Sequence, residues 1–305
     1  MSTGSETLAQ HVSPPYLSDM ALKTITGIHP SLRDDIADLV TRRPLPGPRV
    51  PQVDPFLFLN HHGPQVYPPN NRGLPFGPHP HRGFETVTFI LEGELMHRDS
   101  GGHESVIRAG GVQWMTAGSG LVHAELSPDD FKRRGGPLEI LQLWVNLPAR
   151  LKMTAPRYQG LQGDRIPVID AAGGKAKLHL ISGRWNGVAG PVESITGNFM
   201  STIEAKPGAR FDVGGFDGRN VFLYVVSGGV RVNGADIPQH HLAQLSLDGD
   251  GLAIETSGDA RLVFGHGALI GEPVVAHGPF VMNTVDEIRQ AIADYQAGKF
   301  GGVAA

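Results

Sequence analysis

The sequence predicts an all-β protein of two tandem β-barrel domains with one helix near the C-terminal end. Short apolar segments rich in β-branched and aromatic residues follow one another and end at Gly, Pro, Asn or Asp, as strands joined by turns do. The stretch "TFILEGELMHRDSG" of the first half returns in the second half as "FLYVVSGGVRVNG", a strand, a glycine-containing turn and a strand. Because this weak similarity recurs at the length of a domain, it favours two copies of one β-fold over a short-period repeat.

Each half of the chain supplies its own set of strand candidates. In the first half they are residues 22–28, 56–61, 86–99, 104–110, 112–118 and 138–147, with a hairpin turn at Glu92-Gly93. In the second half they are residues 177–183, 199–205, 221–234, 241–247, 251–258 and 260–269. A segment near 148–165, rich in Pro, Gly and Arg, separates the sets. We therefore predict a loose N-terminal arm over residues 1–20, a first domain over 21–148 and a second domain over 149–305.

One helix is predicted in "NTVDEIRQAIADYQAGKFGG". Thr284 and Glu287 have the spacing of a capping box, and Gly298 follows as a C-terminal stop. The predicted apolar face comprises Val285, Ile288, Ile292 and Tyr295. We expect this helix to pack across a sheet and assign it no chemistry.

Composition and charge exclude several classes of function. The net charge of −4 offers no basic face for nucleic acid, and the cluster "FKRRGG" is expected to be a solvated loop. The absence of cysteine excludes disulfides, thiolate ligands and cysteine nucleophiles. The N-terminal stretch lacks the basic and apolar regions of a secretory leader, and no apolar run is long enough to span a membrane. We therefore expect a cytoplasmic protein with no membrane or direct nucleic-acid contact.

The stretch "GPHPHRGFETVTF" places His79 and His81 two residues apart, just ahead of a strand. Residues i and i+2 of a strand point to the same face, about 6–7 Å apart along the chain. Two imidazoles so placed can converge on one ion at N–metal distances of about 2 Å. The spacing is common by chance, so by itself it leaves open a metal site and two imidazoles on an exposed strand.

A second stretch, "TAGSGLVHAEL", presents His123 and Glu125 at the same spacing after a glycine-rich turn. Strands this far apart in the sequence can return side by side in a small barrel. The two stretches would then form a set of three histidines and one carboxylate facing the barrel interior, which suits Fe(II), Mn or Ni. Four ligands on an ion that prefers six leave two positions for water, substrate or dioxygen, and a tetrahedral structural zinc site is less natural without cysteine.

These stretches also carry a family resemblance. "GLPFGPHPHRGFE" resembles the first cupin motif and "GLVH" resembles the core of the second. More narrowly, "HPHRGFETVTFILEGELMHRDS", "GGVQWMTAGSGLVHAE" and "GEPVVAHGPFVMNT" resemble the pirins, a bicupin family, and the resemblance runs from about residue 20 to about residue 300. It implies two jelly-roll-like cupin barrels, a metal-binding one over 21–148 and a metal-free one over 149–305.

The resemblance implies a single iron, most naturally Fe²⁺, held by the two histidines of the HPHRG stretch and by the His and Glu of the HxE stretch. The matching residues are His79, His81, His123 and Glu125. It also implies quercetin 2,3-dioxygenase activity on a flavonol with O₂, in which Glu125 would accept the substrate hydroxyl proton. The alternative is a redox-sensing co-regulator that binds a transcription factor or metabolic enzyme and uses its iron as a switch, with "FKRRGG" as one surface to consider.

Two departures from the general cupin pattern bear on the ligand set. That pattern takes its carboxylate ligand from the first motif, which makes Glu85 the fallback for Glu125, and here one extra residue precedes the closing Gly93. In the second half, "GNFMSTIEAKPGARF" stands where a first motif would be and has no His-x-His. Its remaining histidines, which have no second ligand at strand spacing, are His240, His241 and His266.

Other conspicuous side chains are expected to be structural. His61 and His62 are adjacent, so at most one points into the barrel, and we expect a surface loop or one pocket-lining imidazole rather than a ligand. His97 and His103 flank a turn and are predicted to lie on the surface.

Three further predictions concern residues beside the two motifs. Trp114 and Met115 are predicted to pack in the core, with the wall of a pocket as the alternative. Arg82 is expected to form a hydrogen bond or ion pair beside the ligands, and Gly83 to serve the shape of the backbone.

Overall fold

A computed structural model describes residues 20–303, so the predicted N-terminal arm, apart from its last residue, lies outside the described part. The strands of the first half are β1 (Ile25–Pro30), β2 (Leu32–Arg33), β3 (Thr41–Leu45), β4 (Phe56–Tyr67), β5 (Phe76–His81), β6 (Phe84–Glu92), β7 (Glu94–Asp99), β8 (Glu104–Arg108), β9 (Val112–Thr116), β10 (Leu121–Leu126) and β11 (Gly136–Asn146). A short helix, α1 (Asp129–Arg134), precedes β11.

The second half has a similar series. Its strands are β12 (Arg157–Leu161), β13 (Val168–Ala171), β14 (Ala176–Ser182), β15 (Arg184–Trp185), β16 (Val188–Ala189), β17 (Phe199–Ala205), β18 (Arg210–Gly214), β19 (Arg219–Ser227), β20 (Val230–Val232), β21 (Ala235–Ile237), β22 (His241–Leu245), β23 (Gly251–Glu255), β24 (Ala260–Ala268), β25 (Val275–His277) and β26 (Phe280–Met282). Helix α2 (Val285–Gln296) follows, and three 3-10 turns span Ala149–Leu151, Gly163–Arg165 and Ala172–Gly174.

The strands form two barrels of one design, which confirms the predicted all-β bicupin architecture. In the first barrel a seven-stranded sheet, β12-β9-β6-β11-β4-β3-β2, faces a four-stranded sheet, β5-β10-β7-β8. In the second barrel the corresponding sheets are β1-β22-β19-β24-β17-β14-β13 and β18-β23-β20-β21. The repeat therefore equates β5 with β18 and β10 with β23, the strands that carry the two motifs.

The domains exchange segments across the boundaries that the sequence predicted. Strand β1 pairs with β22 in the large sheet of the second barrel, whereas β12 pairs with β9 in the large sheet of the first. The hairpin β25–β26 and helix α2 pack onto the first barrel, where Phe280 and Ile288 belong to one buried cluster with Val122. The sheets thus do not divide at residue 148, and the exact domain bounds stay a prediction.

The main core lies between the two large sheets, whose outer faces pack together. Phe56 meets Phe222 there with ring centroids 4.7 Å apart, and Val87, Phe89 and Trp114 belong to the same cluster. Because side chains alternate along a strand, the intervening residues of β6 face the barrel interior instead. One face of each large sheet therefore packs against the other domain, and the opposite face lines the interior of its own barrel. In the first barrel, that interior face carries polar side chains.

The predicted capping box of α2 is confirmed, since Thr284 accepts from the backbone of Glu287 and the Glu287 carboxylate accepts from the backbone N–H of Thr284. Its buried face differs from the prediction. The buried residues are Ile288, Ala291 and Asp294, while Val285 and Tyr295 are exposed. The reason is tertiary, because the face that meets the first barrel carries an ion pair as well as apolar contacts.

The sequence predicts a solvated loop for the basic "FKRRGG" stretch. The "FKRRGG" stretch belongs largely to α1 rather than to a loop, and Lys132 and Arg133 each pair with an aspartate of its first turn. Arg134 pairs with Asp130 and with Glu94, so acidic side chains offset the charge of all three basic residues.

Among the described helices, none combines the length and apolar character that crossing a bilayer requires.

Candidate metal centre

Three of the predicted ligands meet where β5 and β10 lie side by side. The two strands are antiparallel, with His123 opposite His79 and Leu121 opposite His81. The ring centroids are 4.3 Å apart for His79 and His123, 4.8 Å for His79 and His81, and 4.9 Å for His81 and His123. One ring nitrogen of each residue lies within 4.8 Å of the others, and this is the one such group of three donors found among residues 20–303.

The hydrogen bonds of His79 and His81 use the Nδ1 atom of each ring and leave Nε2 available to a metal. The Nδ1 of His79 bonds the carbonyl oxygen of Gly77 at 2.7 Å, and the Nδ1 of His81 bonds that of Pro279 at 3.2 Å. Because a carbonyl only accepts, both Nδ1 atoms carry the proton and both Nε2 atoms keep a lone pair. The Nε2 of His81 and both nitrogens of His123 are buried without a protein partner.

Burial also favours the uncharged rings. It lowers the pKa of His81 to about 3 and that of His123 well below the ordinary value of 6.5, with the neighbouring imidazoles adding to the effect. A neutral imidazole is the form that binds a metal, and buried polar atoms without partners are costly. The three rings therefore fit a divalent metal, which would satisfy the unpaired nitrogens.

Glu125 lies two residues beyond His123 on β10, but its carboxylate is outside the three-histidine group. A bulge follows His123 in the pairing with β5. Thr88 donates from Oγ1 to Oε1 of Glu125 at 3.0 Å, and Gln142 donates from Nε2 to Oε2 at 2.5 Å. Trp144 orients Gln142 by donating to its Oε1 at 3.2 Å. The carboxylate is thus held by two donors, and its role as fourth ligand stays a prediction.

The fallback carboxylate, Glu85, lies on the other side of the sheet. Its Oε1 accepts from Thr116 at 2.7 Å, and its side chain borders a cavity of about 280 Å³ with Trp114 and Glu193 of the second domain. Burial raises its pKa. Because Glu85 shares a face of β6 with Val87 in the interdomain core, it points away from the histidines. The expectation that it could replace Glu125 is therefore wrong.

The surface prediction for His97 is also wrong. This residue is 1% exposed, its Nε2 lies 3.0 Å from Asp99, and its ring stacks on Tyr158 with a centroid separation of 3.9 Å. Its ring lies 5.5 Å from that of His123, because β7 pairs with β10. In the sequence, only the alternation of side chains along β7 indicates that His97 points inward. His103 is exposed, as predicted.

His61 and His62 are both buried, so the surface-loop expectation for them is wrong. They do point in opposite directions, as adjacent strand residues must. His61 faces the second domain, with Nδ1 3.0 Å from the Tyr224 hydroxyl and Nε2 2.9 Å from Glu139. His62 lies with Nδ1 2.8 Å from Thr41 Oγ1, and burial lowers its pKa to about 3.

The predictions for the residues next to the motifs are confirmed. Trp114 belongs to the interdomain core and Met115 to a smaller buried cluster with Leu121. Arg82 forms a buried ion pair with Asp294. Gly83 has φ of +90°, and a Cβ there would lie 2.0 Å from the carbonyl oxygen of Val281. Only glycine fits that turn without a shift of backbone.

The second barrel carries apolar residues where the first carries its histidines. The buried side chains of β18 and β23 are those of Val213, Leu252 and Ile254, which belong to the barrel core. His266 accepts from Nε of Arg219 at 2.8 Å and stacks on Phe199. Among residues 20–303, no group of three converging metal-ligand side chains lies in the second barrel, and a metal-free second domain stays a prediction.

Comparisons with known proteins agree with this architecture. The family model Pirin matches residues 38–145, and the model Pirin C-terminal cupin domain matches residues 200–301. The chain is 43% identical to a pirin-like protein of Caulobacter vibrioides over 87% of this chain and 94% of that one. It is 38% identical to the human protein named pirin over 85% of this chain and 87% of that one.

A solved structure extends the likeness to the whole fold. The crystal structure titled quercetin 2,3-dioxygenase from Acinetobacter baumannii superposes with a TM-score of 0.88 at 33% identity, covering 93% of this chain and all of that one. The likeness therefore spans both barrels and the metal-motif strands. On the family models, the relatives and the fold together, this chain belongs to the pirin family.

Proposed function

We propose that this protein is a mononuclear iron dioxygenase that opens flavonols with O₂, a reaction of the quercetin 2,3-dioxygenase type. The observation that carries the proposal is the group of three facing imidazoles, of which His81 and His123 keep buried nitrogens without partners. The likeness to the Acinetobacter baumannii structure titled quercetin 2,3-dioxygenase supports the choice of reaction.

The proposed ligands are His79, His81 and His123 through ring nitrogens, with Glu125 as the fourth. A set of imidazoles and one carboxylate without thiolate suits Fe(II), and leaves Mn and Ni as the competing ions. When bound, the iron would supply a redox-active Lewis acid with positions open to substrate and dioxygen.

Glu125 is the proposed proton acceptor. Its two oxygens accept from Thr88 and Gln142, and these hydrogen bonds fix the orientation of the carboxylate. It lies on the same strand as His123, so a flavonol hydroxyl brought to the histidines would be near it. Transfer of the hydroxyl proton to one Glu125 oxygen would leave a flavonolate. In the overall reaction the two ring bonds to C3 break, and C3 leaves as CO with its own oxygen. Both atoms of O₂ stay in the ring-opened ester, and the proton returns from Glu125 to the carboxylate of that product.

The barrel wall is proposed to hold the aromatic substrate and to limit water. Phe84 and Trp144 lie beside His81, at ring-centroid distances of 5.0 and 5.4 Å. These two rings also contact each other, at 4.4 Å, and form one apolar surface next to the histidines. Such a surface suits a flat aromatic ligand, because aromatic rings stack at these distances.

The test begins with protein purified without added metal. Elemental analysis measures the bound metal, and O₂ uptake and CO release are then followed with quercetin and related flavonols. We expect iron, and CO released in step with O₂ consumed. Fully iron-loaded protein that turns over no flavonol would contradict the enzymatic proposal and leave the co-regulator alternative, which predicts a protein partner whose binding changes with iron oxidation state.

A further inference from the structure

The C-terminal hairpin and helix α2 follow the second domain but lie against the metal motif of the first. Pro279, at the tip of the β25–β26 hairpin, receives the hydrogen bond from His81 Nδ1. Next to it, Phe280 forms a β-bridge with Arg82, and Val281 donates its backbone N–H to the Arg82 carbonyl at 3.0 Å. The backbone around the proposed ligand His81 is therefore hydrogen-bonded to a segment that lies almost 200 residues further along the chain.

The side chain of Arg82 is fixed by three contacts. Its Nη1 donates to Oδ2 of Asp294 on α2 at 2.8 Å, and its Nε donates to the Ser119 carbonyl at 2.7 Å. Its guanidinium carbon lies 4.6 Å from the centre of the Phe300 ring. The side chains of Arg82 and Asp294 are only 5% and 10% exposed. A guanidinium held in this way has one orientation, since its in-plane donors reach Asp294 and Ser119 while its carbon lies over the Phe300 ring.

Asp294 is itself held in place. Besides Arg82, it accepts from Gln290 Nε2 at 2.9 Å and from Lys299 Nζ at 2.7 Å, so each carboxylate oxygen is occupied. These donors hold the pKa of Asp294 well below its usual range. Loss of its charge would leave Arg82 buried without a counterion, which is strongly unfavourable.

A second tie joins the same two segments. Lys152 is 1% exposed, and its Nζ donates to the carbonyls of Gly83 and Val281 at 2.9 and 3.1 Å and to Asn146 Oδ1 at 2.7 Å. All three donors of the ammonium group are used. The residues on either side of Arg82 are thus tied to the hairpin, Gly83 through Lys152 and His81 through Pro279.

We propose that Asp294 and Arg82 are positioning residues of the metal centre, through which the C-terminal segment sets the orientation of His81. The inference rests on the proposed metal centre but not on flavonol turnover. It assigns a function to α2, which would otherwise be a packing element alone. Partners that orient a ligand are worth about 10- to 100-fold in metal affinity.

The experiment measures Co²⁺ binding, because the visible absorption of Co²⁺ reports the number and geometry of its ligands. The variant is Asp294→Asn, which keeps the shape of the side chain and removes the charge. The matched control is Asp286→Asn, the same change on the same helix at an exposed residue paired only with Arg289 in the structure. The conservative variant Asp294→Glu restores the charge.

We expect Asp294→Asn to weaken Co²⁺ binding by about 10-fold or more and to change the absorption spectrum of the fully loaded protein. Asp286→Asn should bind as the wild type does, and Asp294→Glu should recover most of the loss. A purely structural role would lower the melting temperature of the metal-free protein without changing the spectrum at full loading.

Wild-type affinity and spectrum in Asp294→Asn would overturn the proposal. If that variant does not fold, Arg82→Lys keeps the charge but loses the fork that reaches both Asp294 and Ser119, and unchanged Co²⁺ binding by it would overturn the proposal equally. Failure of folded wild-type protein to bind Co²⁺, Fe²⁺ or Ni²⁺ would instead defeat the metal centre itself, and the two failures are distinct.

Discussion

His79 and His123 face each other directly across the paired strands β5 and β10, with ring centroids 4.3 Å apart. Neither ring gains a hydrogen bond from this proximity, since both nitrogens of His123 lack a protein partner. A bound cation would turn the arrangement into a favourable one. This relationship underlies the first prediction.

Replacing His123 with Gln should abolish metal retention with little effect on the fold. We expect metal affinity to fall by more than about 100-fold, because losing a partner that only orients a ligand already costs about 10- to 100-fold. The metal-free protein should keep its melting temperature closely, since both His123 nitrogens have no protein partner to lose. Elemental analysis and calorimetry measure the two effects. The exposed His103, changed to Gln, is the control, and equal metal loss there would refute the assignment.

Changing Glu125 to Gln should lower flavonol turnover by about 10²- to 10⁴-fold, the usual contribution of a general base. Glu85→Gln is a matched control, because Glu85 is equally buried but faces the second domain. Its turnover should stay close to that of the wild type. Steady-state rates divided by the measured metal content of each variant distinguish a loss of catalysis from a loss of bound metal. Equal rates in both variants would exclude Glu125 as the base.

The metal-free protein should lose stability as the pH falls below about 6.5. Burial lowers the pKa of His62 to about 3 in the folded state, so the unfolded state binds more protons over this interval. The stability that the neutral ring contributes is complete above the unfolded value and is lost on acidification, about 2 kcal/mol for this residue at pH 5. Denaturant titrations at about pH 7.5 and 5 measure the loss. His62→Gln should reduce it, and an undiminished loss would show that His62 is not responsible.

Gly83→Ala should destabilise the protein more than a similar change elsewhere. The new Cβ would meet the Val281 carbonyl at 2.0 Å, in a turn with φ of +90°. Gly102 has φ of +87° and open space around it, so Gly102→Ala bears the backbone strain alone. That strain costs about 1–2 kcal/mol, and the difference between the two variants measures the close approach. Equal melting temperatures would mean that the hairpin moves away without cost.

The strand pattern and the metal motifs were predictable because both depend on local regularities. Alternation along β6 and β10, the turn glycines and the spacing of His79, His81 and His123 are visible in the sequence, and strand geometry then places His79 and His81 on one face. The capping box of α2 is equally local. What the resemblance added was the expectation that these residues hold a single iron.

Only the tertiary structure determined which face of each strand is buried and which other element packs against that face. His97 is buried because β7 pairs with β10, and Glu85 faces away from the site because the outer face of β6 packs against the second barrel. The composition of β1 and β12 does not indicate that each strand joins the large sheet of the other domain. The Arg82–Asp294 ion pair joins residues 212 positions apart, and no local periodicity encodes a contact of that separation. Local pattern sets the direction of a side chain relative to its own strand, whereas its partner depends on how the whole chain packs.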